Sequence, residues 1–132
     1  MTRPHEQVYT RLKVSQIHGV GVFAILDIPR GTYVFEGDTS EIVWYDEKDL
    51  DLPHQPDSVQ KLYEDFCILK TEKGRRKLGC PANFNNMNSS WYVNYSDKPN
   101  LAFDEENGFY TLRDIQEGEE LTVDYDTYSE NS

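Results

Sequence analysis

The segment Asn94-Tyr95-Ser96-Asp97-Lys98-Pro99-Asn100 and the later run Glu119-Glu120-Leu121-Thr122-Val123-Asp124-Tyr125 decide how this chain reads. Two asparagines, a serine and a proline within seven residues exclude a regular helix or a central strand, because proline lacks the amide hydrogen that either would use. Such a segment costs backbone entropy and offers little apolar area in return. Set between apolar stretches in a small domain, it shapes a pocket. The second run alternates and delivers a tyrosine at the end of a strand. The two are expected to form halves of one active site.

Outward from these segments the pattern is mostly β. Val8, Thr10, Leu12 and Val14 alternate with Tyr9, Arg11, Lys13 and Ser15, which predicts a half-buried first strand. His18-Gly19-Val20-Gly21 breaks it, and Val22-Phe23-Ala24-Ile25 resumes as a second. Pro29-Arg30-Gly31 is a turn, and Thr32 to Glu36 and Glu41 to Tyr45 are further short strands. The acidic stretch from Asp46 to Asp57 reads as a surface loop. Asp57 or Ser58 is a good cap for a helix, with Val59, Leu62, Tyr63 and Phe66 at helical spacing and an end before Gly74. Leu101-Ala102-Phe103 and Phe109-Tyr110-Thr111-Leu112 flank Asn107-Gly108, a hairpin signal. Asp114 to Glu119 is a turn and Glu120 to Tyr125 the last strand. In it Leu121, Val123 and Tyr125 share an inward face, with Thr122 and Asp124 pointing away. The expected fold is mainly β with one short helix, in a single domain over residues 1–132.

Composition narrows the function. Among 132 residues, 13 Lys and Arg stand against 24 Asp and Glu, a formal net charge of -11, with a mean hydropathy of -0.74. That balance argues against direct nucleic-acid binding, which neutralises phosphates with cations. It suits a basic protein or peptide partner, or simply solubility. Lys70, Lys73, Arg75, Arg76 and Lys77 form the only basic cluster, read as a solvated turn, with a docking patch as the other reading. No apolar stretch approaches the roughly 20 residues that span a bilayer, and Met1 to His5 carry no apolar signal core. No membrane role is expected; the chain reads as intracellular, cytoplasmic in a bacterial setting and nuclear in a eukaryotic or viral one. The two cysteines, Cys67 and Cys80, make no metal motif, and His5, His18 and His54 are far apart. A structural zinc wants about four ligands, so no metal is expected, and free buried thiols are.

Three groups carry candidate chemistry. Gly19-Val20-Gly21 either marks a bulge or lets a ligand approach the backbone; it lacks the third glycine and following helix of a dinucleotide site. Asn94, at the end of an apolar run, is placed to hold a polar ligand group, or to satisfy its own turn. Tyr125 is a core tyrosine bonded to a carbonyl, or a group that meets a substrate.

In this order the pieces resemble the SET-domain family of protein lysine methyltransferases, in a small form without a cysteine-rich zinc segment. Gly19 to Ala24 resembles the family's Gly-x-Gly opening, and Ile28-Pro29-Arg30-Gly31 leading to Val34-Phe35-Glu36-Gly37 its next strand pair. Asn94-Tyr95-Ser96 with Pro99-Asn100 resembles its Asn-His-Ser-x-x-Pro-Asn segment. Gly118 to Tyr125 is similar to the terminal motif, which ends in the catalytic tyrosine. The likeness runs from about Leu12 to Tyr128. It implies a β-clip-like fold whose carboxyl-terminal segment threads under a loop as a pseudoknot, an exception to the unknotted rule. It implies S-adenosylmethionine as cofactor, leaving as S-adenosylhomocysteine, held by Gly19, Val20, Gly21, Val22, Phe23, Asn94 and the Tyr95 backbone. It further implies a lysine channel lined by Tyr92 and Tyr128, and Tyr125 as the catalytic group.

Two departures qualify the likeness. Tyr95 stands where the family has histidine. Only Asp126 to Ser132 follow Tyr125, so Tyr128 or a second subunit, in a homodimer, is expected to close the channel. The reading is a protein lysine N-methyltransferase acting on a basic segment such as a histone tail. The alternative is a catalytically impaired SET-like module that binds basic peptides; a third reading is an acidic interaction protein without a cofactor.

Overall fold

Val22 and Leu121, both with no exposed surface, are opposed across two antiparallel strands and organise the sheet that carries the candidate site. The computed structural model that contains them describes residues 3–38 and 41–127. Among these, one structural unit comprises residues 3–38 and 88–127 and a second comprises residues 41–87.

In the first unit, β1 (Thr10–Val14), β2 (Val20–Ala24), β9 (Glu120–Val123) and β6 (Asn94–Tyr95) form a sheet in the order β1-β2-β9-β6. The β1–β2 and β2–β9 pairs are antiparallel, and β6–β9 is parallel, with Asn94 opposite Thr122 and Tyr95 opposite Val123. A hairpin of β7 (Leu101–Asp104) and β8 (Gly108–Thr111) joins the unit, with bridges Ile28–Ile115 and Tyr33–Tyr110. Val22, Ala24, Ile28, Val34, Val93, Leu101, Ile115, Leu121 and Val123 make its core. Buried polar groups inside it are all partnered. Thr111 Oγ1 donates to Pro29 O at 2.8 Å and accepts from the Thr32 amide. Asn100 acts like a length of strand, donating to Glu120 O at 2.9 Å and accepting from the Thr122 amide at 2.8 Å.

The second unit is the sheet β3-β5-β4, from β3 (Ile42–Asp46), β4 (Ile68–Glu72) and β5 (Arg75–Pro81), with helix α1 (Asp57–Phe66). Leu69, Leu78 and Cys80 are buried, and Tyr45, Leu50, Leu52, Tyr63 and Cys67 pack on them.

The mainly-β class with one α-helix stands, and several local expectations are corrected. Helix α1 ends at Phe66, before Gly74 as expected; beyond it Cys67 turns extended and Ile68–Glu72 pairs with β5, a strand not foreseen. The basic cluster is therefore a hairpin, not a plain turn. Lys73 and Gly74, at φ 51° and 78°, form its two-residue connection, the left-handed pair that such hairpins need. Asp57 is the first helical residue and no side chain caps the helix. The stretch 46–57 holds two short 3-10 turns, Glu47–Leu50 and Leu52–His54, on the way to the helix. Thr32 to Glu36 is not a strand: only Tyr33 bridges, and the chain turns through Gly37 with Asp38 N bonded to Phe35 O at 3.0 Å. β1 lies at the sheet edge and is mostly exposed, with Val14 at 85% exposure. Thr122, expected to face water, is buried along with Leu121 and Val123, and the β9 backbone beside it is engaged by β6 and by Asn100 Oδ1.

One prediction concerns the β7–β8 hairpin. The Asp104 carboxylate is held below its ordinary range, first by the Glu106 amide and then by the Tyr33 hydroxyl. A depressed folded pKa contributes stability that is present above the unfolded value of about 3.9 and lost as pH falls through the folded one. The thermal midpoint of wild type should exceed that of Asp104→Ala at neutral pH, and the gap should narrow below about pH 4. A gap constant across that range would remove the carboxylate from the account.

Candidate active site

The turn Ser15 to Val20 closes on itself, with Ser15 N bonded to Gly19 O at 2.8 Å and Gly19 at φ 47°. Its carbonyls face Asn94. Asn94 Nδ2 donates to Glu120 Oε2 at 2.9 Å and His18 O at 3.0 Å, with Val20 O at 3.3 Å. Three acceptors around one nitrogen fix the orientation of the amide. Asn94 Oδ1 then turns the other way, and accepts no hydrogen bond among the described residues. Fully buried side-chain oxygens and nitrogens among those residues all have partners, so Oδ1 is not sealed in the core.

Glu120 is the hub of this cluster. Its carboxylate accepts from Ser15 Oγ at 2.7 and 2.9 Å as well as from Asn94. Both partners press on Gly21. A Cβ there would collide with Glu120 Oε2, meet Glu120 Cδ at 2.9 Å and Asn94 Nδ2 at 3.0 Å. Gly21 is thus glycine for want of space. Gly21→Ala should destabilise the fold by about 1–3 kcal/mol, the usual range for overpacking, read from the denaturant midpoint. An unchanged midpoint would mean that the cluster yields freely.

Parallel pairing of β6 with β9 brings the second half of the site alongside. Tyr95 and Tyr125 lie with ring centroids 5.7 Å apart at 50°. Tyr125 begins a 3-10 turn, Tyr125–Thr127, two residues past the end of β9 rather than inside the strand. The break aims its hydroxyl at Val93 O, to which it donates at 2.7 Å. A phenol whose one proton is committed to a carbonyl meets any further partner as an acceptor. Tyr95 is 43% exposed. Its hydroxyl is pushed above the ordinary tyrosine value, first by partial burial and then by the Asp124, Asp126 and Asp97 carboxylates. It therefore stays neutral, on a surface with an acidic rim.

The structure thus gathers Gly19, Val20 and Gly21 around Asn94, and Tyr95 against Tyr125. Val22 is wholly in the core, and Phe23 lies beneath the Lys13 ammonium, 5.3 Å from its ring centre. Tyr92 is half-buried at the end of the turn Ser89–Tyr92, one residue ahead of Val93. Tyr128 lies outside the described residues. Ser15 and Glu120 were not anticipated. The sequence places Glu120 at the start of the last strand without a role for its side chain; the one clue was that position, opposite a glycine-rich strand. Among the described residues no three His, Cys, Asp or Glu side chains are grouped to hold a metal ion, and no helix is long and apolar enough to cross a membrane.

Comparison with known proteins places this arrangement. The family described as SET domain matches residues 19–126, most of the chain and every group of the site except Ser15 and His18. A search of curated proteins gives no match. Among solved structures, a Plasmodium falciparum protein provisionally described as a histone methyltransferase aligns over 89% of this chain and 93% of its own. The TM-score is 0.51 and the identity 18%, a likeness of fold.

Proposed function

The chain belongs to the SET-domain family, and from that premise we propose that it is an S-adenosylmethionine-dependent protein lysine N-methyltransferase. The observation that carries the reading is the convergence on one sheet of three groups remote in sequence. The Asn94 amide, on β6, bonds the carbonyls of the 18–20 turn, and the Tyr125 hydroxyl, just past β9, bonds the carbonyl of Val93, one residue before Asn94. Residues 1–132 are read as one domain of the family, with the carboxyl-terminal segment threaded as a pseudoknot beside β6.

Asn94 fits the cofactor's amino-acid end. Its outward Oδ1 would accept from the ammonium group, and the nearby Glu120 charge would favour that cation. The Gly19–Gly21 backbone would carry the rest of that end, with Tyr95 giving its main chain to the adenine. When bound, S-adenosylmethionine supplies a methyl group already activated by its sulfonium.

What remains for the protein is to present a neutral amine in line. At a reference pKa of about 10.4, deprotonating lysine at pH 7 costs roughly 4–5 kcal/mol. Burial and a neighbouring cation both lower that pKa. Tyr125, as an acceptor, would take one N–H of the amine and so fix where its lone pair points. The rim of Asp97, Asp124 and Asp126 would attract a lysine-rich segment such as a histone tail, and Tyr92 would line the lysine's path. A homodimer is a further means of closing that path.

The test is calorimetric titration of S-adenosylmethionine, followed by transfer of its labelled methyl group to core histones and lysine-rich peptides. Micromolar binding with label on lysine nitrogen supports the reading, with a peptide KM that rises with salt. Binding without transfer to any basic substrate would favour the catalytically impaired module instead. No heat and no thermal stabilisation at millimolar cofactor would overturn the enzyme reading and favour the catalytically impaired module that binds basic peptides.

A further inference from the structure

In the hairpin of β4 and β5, Ile68 stands opposite Gly79 and Leu69 opposite Leu78. Carried one residue further, that register sets Cys67 opposite Cys80. Cys67 caps helix α1 through its amide, bonded to Tyr63 O at 3.0 Å, yet its backbone is already extended at φ -87° and ψ 148°. Glu72 and Arg75 flank the two-residue turn as a hydrogen-bonded pair, and pair type alternates along an antiparallel ladder. Cys67 and Cys80 therefore occupy a non-hydrogen-bonded position, where Cα atoms approach to about 4.5 Å. That lies within the range of about 4.4–6.8 Å that a disulfide bridges. Both side chains also lie on the face that carries Leu69 and Leu78, the centre of this unit's core.

The sulfurs are already in contact. Cys67 Sγ donates to Cys80 Sγ at 3.1 Å. The contact splits the pair, raising Cys67 chiefly because its proton is held by Cys80, and lowering Cys80 because it accepts that bond. Cys67 is partly buried and Cys80 buried.

We propose that Cys67 and Cys80 are a site of reversible intramolecular disulfide formation that staples the end of helix α1 to strand β5. The reaction removes one hydrogen from each thiol, as two protons and two electrons. A low-molecular-weight disulfide such as glutathione disulfide takes up both. It first forms a mixed disulfide at one of the two sulfurs, releasing one thiol, and the other sulfur then displaces the second. Among the described residues of the unit that would be stapled, the core cluster has Leu69, Leu78 and Cys80 as its buried members. Small cores of that kind gain most from a cross-link. The inference stands apart from the proposed methyl transfer.

The full chain is incubated with glutathione disulfide, then denatured and alkylated. The expected product is two hydrogens lighter, takes no alkyl group, and yields a digest peptide joining Cys67 to Cys80. Dithiothreitol should restore two alkylatable thiols, and Cys67→Ser and Cys80→Ser should each abolish the mass change. The oxidised form should melt at a higher temperature than the reduced one. Two alkylated thiols, a lasting glutathione adduct on Cys67, or a disulfide-linked dimer would overturn the proposal; so would a bond that leaves the melting temperature unchanged.

Discussion

Tyr125→Phe should lower methyl transfer by roughly 10²-fold, the cost of a reacting group left mispositioned, while S-adenosylmethionine affinity stays close to wild type. The hydroxyl donates to Val93 O at 2.7 Å and so can meet an amine only as an acceptor. Phenylalanine keeps the ring that packs on Tyr95 and removes only that acceptor. It also strips Val93 O of a donor, at about 1 kcal/mol, so the melting temperature must be recorded beside the rate. Single-turnover transfer and calorimetric affinity on the same preparation separate the effects. Full transfer by a folded Tyr125→Phe protein would take this hydroxyl out of the mechanism. Equal losses in transfer and cofactor affinity would make the residue structural.

Asn94→Asp should be the most damaging single change at the cofactor side. It turns the nitrogen that three acceptors share into an oxygen, facing Glu120 Oε2, His18 O and Val20 O. Two carboxylates then face each other at the separation now filled by a 2.9 Å hydrogen bond. Unmet acceptors cost about 1–3 kcal/mol, and the like charges add to that. Cofactor binding should disappear from calorimetry and the denaturant midpoint should fall. The partner change makes the claim specific. In Asn94→Asp with Glu120→Gln, the glutamine amide can donate back to the new carboxylate and the repulsion is gone. The double variant should recover part of the stability lost by Asn94→Asp alone, a coupling that a double-mutant cycle reads directly. Additive losses would mean that Glu120 and Asn94 do not act together.

Much of this was legible in the chain. The β1–β2 pair, the hairpin around Asn107-Gly108 and the final strand follow from alternation and turn residues, which are local. The likeness of the Gly19, Asn94 and Tyr125 segments to one family was legible because those motifs are short and ordered. Glu120 was not, since a glutamate beside Glu119 and near Glu117 looks like surface until Ser15, 105 positions away, is seen to donate to it. Nor was the switch from helix to strand at Cys67, where Val59 to Phe66 keep helical spacing and the next residues are claimed by β5.

The sequence by itself determined a mainly β chain with one helix, an acidic surface and three motif segments, because strand alternation, turn chemistry and charge are properties of neighbouring residues. The tertiary structure alone decided that Glu120, His18 and Val20 hold the Asn94 nitrogen, that Gly21 has no room for a side chain, that the Tyr125 hydroxyl donates to Val93 O, and that Cys67 and Cys80 touch. Each of these depends on which distant atoms a polar group is forced to satisfy once buried, and burial is set by the packing of the whole sheet.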